Sequence, residues 1–418
     1  MSEQGDTPCA TTLPPELLSR IFEHYIAACK AVWDDGAPYD RIAPASCSHA
    51  AIGPYTWLHA THVCTYWRAV ALANPLLWSH TVLVRSVPCV QAVLTRSQQV
   101  PLTIQSYTPR CSSEGAFPTC SLKLALQHIH RVRSLELRIK WWVFFDHIAP
   151  ALEHPTPLLA RVHIATPSGL ADDFPLAPAL DLAAAAPLRE LELSAYGFPW
   201  ARAAPFCGLR SLTVRRSAGR SPAPIDVLTA LAHMPLLAAL TLDNVFGPSP
   251  KDTSALALLP TTVALPELET LTFAGDSAAC TTLLCALRTP APTRTTLSFR
   301  SAAAAELNLC VPAVCAHLAL GTYTVRIRED SGCFAVLFFP AQSGPTPRVT
   351  LQIPSTTVHF VALLLALPKT MPLCVHELPL PPALAGSDAR MCAAGCGSAC
   401  AQAAGAAVMT DLELEFVY

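Results

Sequence analysis

Apolar residues follow two rhythms along the chain. Near the start, Leu17, Leu18, Ile21, Phe22, Tyr25 and Ile26 recur at helical spacing. Leu13-Pro14-Pro15-Glu16 stands just ahead of them. Proline is tolerated where the first N–H groups of a helix have no partner, and glutamate suits the positive end. After a polar, irregular insertion at about 33–54, Leu58, Val63, Trp67 and Val70 predict a second helix over about 56–73. Asn74-Pro75 stops it, because the residue before a proline avoids the α region. Leu76-Leu77-Trp78 then leads into an extended run from Thr81.

From about residue 130 the rhythm becomes one of short apolar-x-apolar pairs. They are Leu135/Leu137, Val162/Ile164, Leu191/Leu193, Leu212/Val214, Leu240/Leu242, Leu271/Phe273, Leu297/Phe299 and Val325/Ile327. Successive pairs lie about 27 residues apart, a period that signals a repeat architecture. Val132, Leu159, Leu188, Leu209, Leu237 and Leu268 each precede a pair by three positions, giving an L-x-x-L-x-L pattern. Helical stretches lie between, clearest at 225–231. Each unit reads as strand, loop, helix and return, and none can bury its apolar face alone. The asparagine that usually follows such a pair in leucine-rich repeats is replaced by Lys140, Tyr196, Ser217 and Val245, so an irregular arc is expected. The fold class is therefore α/β: a small helical module, then a leucine-rich-repeat-like solenoid with a strand and a helix per repeat.

Composition narrows the function. Of 418 residues, 52% are hydrophobic and 14% charged, which excludes disorder across most of the chain. A net charge of −2 offers no basic surface for nucleic acid. The 39 prolines against 17 glycines suit frequent breaks between short elements. The first ten residues lack the basic and apolar regions of a secretory signal. The most apolar later stretch, 360–367, is far short of the ~20 residues a membrane span needs. The 17 cysteines are thus expected as free thiols in a reducing compartment, cytoplasm or nucleus, with no membrane partner.

Residues 13–22, Leu-Pro-Pro-Glu-Leu-Leu-Ser-Arg-Ile-Phe, are followed by Val63-Cys64-Thr65-Tyr66-Trp67-Arg68 and Pro75-Leu76-Leu77-Trp78. Together they resemble the F-box, and the chain is similar to fungal F-box-like proteins that carry degenerate leucine-rich repeats after the box. The resemblance implies a division into a tail at 1–10, an F-box-like domain at 11–83 with its insertion at about 33–54, and a repeat solenoid at 84–385. An Ala/Gly/Cys-rich segment with a terminal strand follows at 386–418. It also implies binding rather than chemistry. F-box domains dock on the Skp adaptor of cullin-based SCF ubiquitin ligases, and their repeats hold a protein substrate. Leu13, Pro14, Leu17, Leu18, Ile21, Phe22, Val63, Trp67 and Leu76 are carried over as the adaptor-binding face. Some of them, chiefly Ile21, Val63 and Trp67, could instead form the module's internal core.

Other constellations point less firmly to chemistry. Cys392, Cys396 and Cys400 are evenly spaced, but no histidine lies near and the spacing matches no common zinc or iron–sulfur run. His59, His62 and Cys64 fall within the second helical stretch, where the histidines read as polar-face residues. Phosphate-loop, nucleophile-elbow, zincin and dinucleotide motifs are absent. Trp141 and Trp142, with Phe144 and Phe145, follow the first expected strand. They read either as a substrate anchor or as a plug joining module to repeats. The reading reached is a non-enzymatic substrate receptor with neither cofactor nor metal. The alternatives are an interaction scaffold with a vestigial F-box and a thiol- or metal-dependent enzyme built on the C-terminal cysteines.

Overall fold

The computed structural model describes residues 13–34, 55–83, 86–106, 118–166, 187–215, 221–246, 262–290, 293–299, 323–330, 333–340, 349–354, 374–377 and 411–416. The tail at 1–10, most of the insertion, and Cys392, Cys396 and Cys400 lie outside them. The chain forms two compact units: residues 1–170 with 181–188, and residues 171–180 with 189–418.

The first unit opens with helix α1 (Pro15–Asp34). The continuous helix expected over 56–73 is instead a 3-10 helix, Thr56–His62, and helix α2 (Thr65–Ala73). Cys64 separates them: its backbone is extended and its Sγ accepts the Trp67 N–H at 3.5 Å, capping α2. Asn74 ends α2 as its following proline requires, and its Oδ1 accepts the Leu76 N–H at 3.1 Å to start a 3-10 turn, Pro75–Trp78.

Strand β1 (His80–Leu83), helix α3 (Val87–Arg96), strand β2 (Leu102–Ser106), helix α4 (Thr119–Leu126) and strand β3 (Val132–Arg138) follow. Two short helices, α5 (Trp141–Val143) and α6 (Ala149–Leu152), flank a π-helical turn, Phe144–Ile148, before strand β4 (Arg161–Ala165). The strands pair in parallel in the order β1-β2-β3-β4. Parallel stacking thus begins at residue 80, earlier than the apolar pairs suggest. Two side chains hold this start in place. The Tyr55 hydroxyl donates to Val82 O at 2.9 Å and accepts the Val82 N–H at 3.0 Å. Burial pushes the Tyr55 phenol up, which keeps that donor. The buried Arg131 guanidinium donates to Leu94 O, Ser97 Oγ and Val100 O at 3.0–3.3 Å, closing the end of α3.

The second unit begins with strand β5 (Glu190–Ser194) and two 3-10 turns, Trp200–Arg202 and Ala204–Phe206. Strand β6 (Ser211–Arg215), helix α7 (Pro224–Leu231), strand β7 (Ala239–Asp243), strand β8 (Val263–Ala264) and strand β9 (Thr270–Gly275) come next. Helix α8 (Ser277–Ala286) then leads to strand β10 (Leu287–Arg288), which pairs with β8, and to strand β11 (Arg294–Phe299). Strands β12 (Tyr323–Asp330), β13 (Cys333–Pro340), β14 (Val349–Pro354), β15 (Cys374–Glu377) and β16 (Asp411–Phe416) complete it.

All eight apolar pairs lie in strands, and the first seven are buried together with the six residues three positions upstream. Neighbouring pairs stack, Leu191 on Leu212, Leu212 on Leu240 and Leu240 on Leu271. Two details depart from the sequence reading. Leu297 lies beside Phe273, so Thr295, two residues earlier, takes the place beside Leu271. Val325 and Ile327 leave the parallel ladder, because β12 pairs antiparallel with β13 and β16. Only residues 331 and 332 separate β12 from β13, and a parallel crossover needs a dozen or more. β14 instead lies parallel beside β11, with Leu351 next to Leu297. The protein is an α/β protein whose sheet strands are mostly parallel.

Candidate functional site

The helical start of the first unit has its own core: Leu18, Phe22, Cys29, Trp57, Ala71, Leu77, Trp78 and Val93. Helix α1 starts cleanly at its prolines, with the Leu18 N–H donating to Pro14 O at 3.1 Å. Leu18 and Phe22 sit four residues apart, so one turn brings both to the same inward stripe. Both are wholly buried. Phe22 meets Trp67 edge to face at 5.6 Å between centroids, and Trp57 meets Trp78 at 5.1 Å. The Trp78 indole N–H donates to Ala71 O at 2.9 Å, and the Arg96 guanidinium lies 4.5 Å above its ring. The Tyr66 hydroxyl donates to Leu13 O at 2.7 Å and ties α2 to the residues before α1.

The same helix carries a second apolar stripe. Leu17, Ile21 and Tyr25 are also four residues apart, rotated about 100° from the first stripe, and they face outward. Leu17 is 50% exposed and Ile21 43%. Val63, at the break before α2, and Leu76, in the turn after it, are 56% and 57% exposed. Leu72 of α2 is exposed as well.

The nine residues singled out from sequence therefore separate into three sets. Leu17, Ile21, Val63 and Leu76, with the exposed Pro14, stay open to solvent. Leu18 and Phe22 are core, while Leu13 and Trp67 are half-buried between. The internal core is not built on Ile21 and Val63; Leu18 and Phe22 take that role. Tyr25 and Leu72 belong to the exposed set and were not singled out. The four-residue offset of Tyr25 from Ile21 was an available signal; Leu72 is separated from Leu76 by the Asn74-Pro75 break, and spacing did not mark it.

This surface offers aliphatic area and one phenol. His59 and His62 are exposed, and Cys64 is engaged in capping α2. Among the described residues there is no cluster of three metal-ligating side chains, and no helix long and apolar enough to cross a membrane. Of the aromatic run after β3, Val143, Phe144 and Ile148 are buried, and Phe144 meets Phe145 edge to face at 5.2 Å. Trp142 stays 40% exposed on α5, beside the π-helical turn. Such turns are frequent at functional sites. No family model and no curated protein matches the sequence.

Proposed function

We propose that the chain is the substrate-recognition subunit of an SCF-type ubiquitin ligase. In this reading residues 11–83 are an F-box-like domain that docks on the Skp adaptor and, through it, a cullin scaffold. Residues 84–385 are a leucine-rich-repeat-like solenoid that binds a protein substrate in the cytoplasm or nucleus, with Trp142 as a candidate anchor and Trp141 beside it in sequence. Ubiquitin transfer belongs to other subunits, so this chain needs no catalytic residue, cofactor or metal.

The observation that carries the reading is the paired stripe on α1. A helix that buries Leu18 and Phe22 in the core yet presents Leu17 and Ile21 to solvent, in a module that also exposes Val63 and Leu76, is suited to meet a second apolar surface. The test separates the stripes. Fully burying a Leu or Ile side chain is worth roughly 1.5–3 kcal/mol, and these two are already half-buried. The double variant Leu17→Ala/Ile21→Ala should then lose about 2–3 kcal/mol of adaptor binding, roughly 30- to 150-fold in affinity. Its protease resistance and helical signal should match the parent. Full adaptor capture by this variant, or failure of the parent to capture the adaptor, would refute the assignment.

A further inference from the structure

The antiparallel part of the second unit draws one of its strands from far along the chain. β14, β13 and β12 extend the sheet from β11, and β13 matches β12 over its whole length, Tyr323–Asp330. β16 lies on the side of β12 away from β13 and is reached through residues 378–410. Every residue of β16 has a register partner on β12.

The two strands match by residue type as well as by length. Asp411, Glu413 and Glu415 stand opposite Arg328, Arg326 and Thr324. Leu412, Leu414 and Phe416 stand opposite Ile327, Val325 and Tyr323. Opposite charges directly across an antiparallel pair favour it. A slip of one residue would set a leucine opposite Arg326, so the alternation fixes the register. The other flanks lack this fit. On β13, Arg326 and Arg328 have Leu337 and Ala335 as register partners. On the four-residue β15, Glu377 stands opposite Glu413, and the register shifts between Val375 and Glu377. Like charges placed opposite one another disfavour pairing. β16 is thus complementary to β12 and poorly matched to β15.

We propose that β12 is a docking strand for an extended segment of a protein substrate in which acidic and apolar residues alternate, and that β16 is its built-in competitor. The proposal rests on the receptor reading and names the chemistry of the substrate. β16 itself shows what fits: an antiparallel strand with acids at the Arg326 and Arg328 positions. Backbone pairing supplies attachment, and the alternating residues supply selection. A basic segment would set like charges opposite both arginines. A helix has no backbone groups to offer β12, since its own N–H and C=O groups are paired internally. Displacing β16 leaves β12 paired with β13 along its length, so only β16 and the short β15 leave the sheet. Linked through residues 378–410, β16 presents itself to β12 at an effective concentration on the order of millimolar. A free peptide at micromolar concentration loses to it, whereas a substrate segment held by further contacts competes on equal terms.

The test uses the full chain and a fluorescein-labelled peptide that copies residues 411–416, capped at both ends. Adjacent residues of a strand send their N–H groups to opposite sides, so Glu413→Pro/Leu414→Pro removes a donor toward β12 in either phase. This opened chain should bind the peptide at least tenfold more tightly than the parent chain, read by fluorescence polarisation. It should also prefer that peptide at least tenfold over one of the same composition with the acids grouped together. Within the opened chain, Arg326→Glu/Arg328→Glu should transfer the preference to a peptide with lysine in place of each acid. Where the prolines lower the melting temperature of the second unit, Leu412→Gly/Leu414→Gly serves instead, since it weakens β16 without removing a donor. Absence of peptide binding by both opened chains, equal binding by parent and opened chains, or equal binding of the alternating and grouped peptides would overturn the proposal. So would a parent chain that sediments as a dimer and becomes monomeric on opening, because β16 would then serve a second copy. Failure of the parent chain to capture the adaptor, with the peptide results intact, would remove the receptor reading and leave the docking strand standing.

Discussion

In the first unit, one residue gathers many contacts: Trp78 meets Trp57 edge to face, lies under Arg96 and donates to Ala71 O. In the second, Leu212, Leu240 and Leu271 each occupy the same register position on successive strands and do the same thing. The helical start depends on side chains that have no equivalent elsewhere. The strand ladder depends on a pattern, in which each position has copies. A defect should therefore spread further in the first region than in the second, since repeat stability is set mainly by nearest neighbours.

The largest test of this contrast is Trp78→Ala. Truncating a buried tryptophan costs about 3–5 kcal/mol, and here an aromatic contact and a hydrogen bond go with it. Thermal unfolding should show the first unit melting well below the second, with residues 13–78 becoming protease-sensitive first.

A smaller loss is expected for Arg131→Met. The guanidinium is buried and donates to Leu94 O and Val100 O; methionine leaves Val100 O without that donor, while Leu94 O keeps the Ser97 hydroxyl at 2.8 Å. Losing the partner of one largely buried acceptor costs about 1–2 kcal/mol, so denaturant unfolding should move to lower midpoint with an unchanged slope. A midpoint equal to that of the parent would mean that α3 closes without this side chain.

The smallest effect lies in the ladder and has the opposite sign. Thr295 stands where its neighbour strand has Leu271, and its buried hydroxyl has no hydrogen-bond partner among the described residues. Thr295→Val keeps the shape and removes the unpaired group, so the second unit should gain about 1 kcal/mol. Differential scanning calorimetry would detect the gain, and a loss would show that the hydroxyl is satisfied in solution.

The ladder was legible in the sequence because its signal is redundant. Leu135, Val162, Leu191, Leu212, Leu240 and Leu271 announce strands by spacing, and each proves to be buried on one. Where redundancy ends, so does legibility. Thr295 looks polar, so the pair two residues later was aligned in its place. Val325 and Ile327 carry the pattern, yet the two-residue link after β12 turns that strand antiparallel. β1 and β2 lack the upstream leucine and were not counted among the repeats. In the helical region, Leu17 and Leu18 are both leucine and adjacent, and sequence does not say which faces in. That choice is made by Trp57, Trp67 and Trp78 arriving from later segments. The break at Cys64 was hidden similarly, because a cysteine cap carries none of the usual capping signature.

Tyr55 has a consequence beyond holding β1. Among the described residues, this strand has β2 on one side and no strand on the other. An open strand margin is where a second molecule would add itself, backbone to backbone. By donating to Val82 O and accepting from Val82 N–H, one phenol does what an added strand would do at that residue. The remaining run is too short to template a partner, since β1 is only four residues long. The outer margin of the first unit is thereby protected against runaway self-assembly by a single oxygen atom.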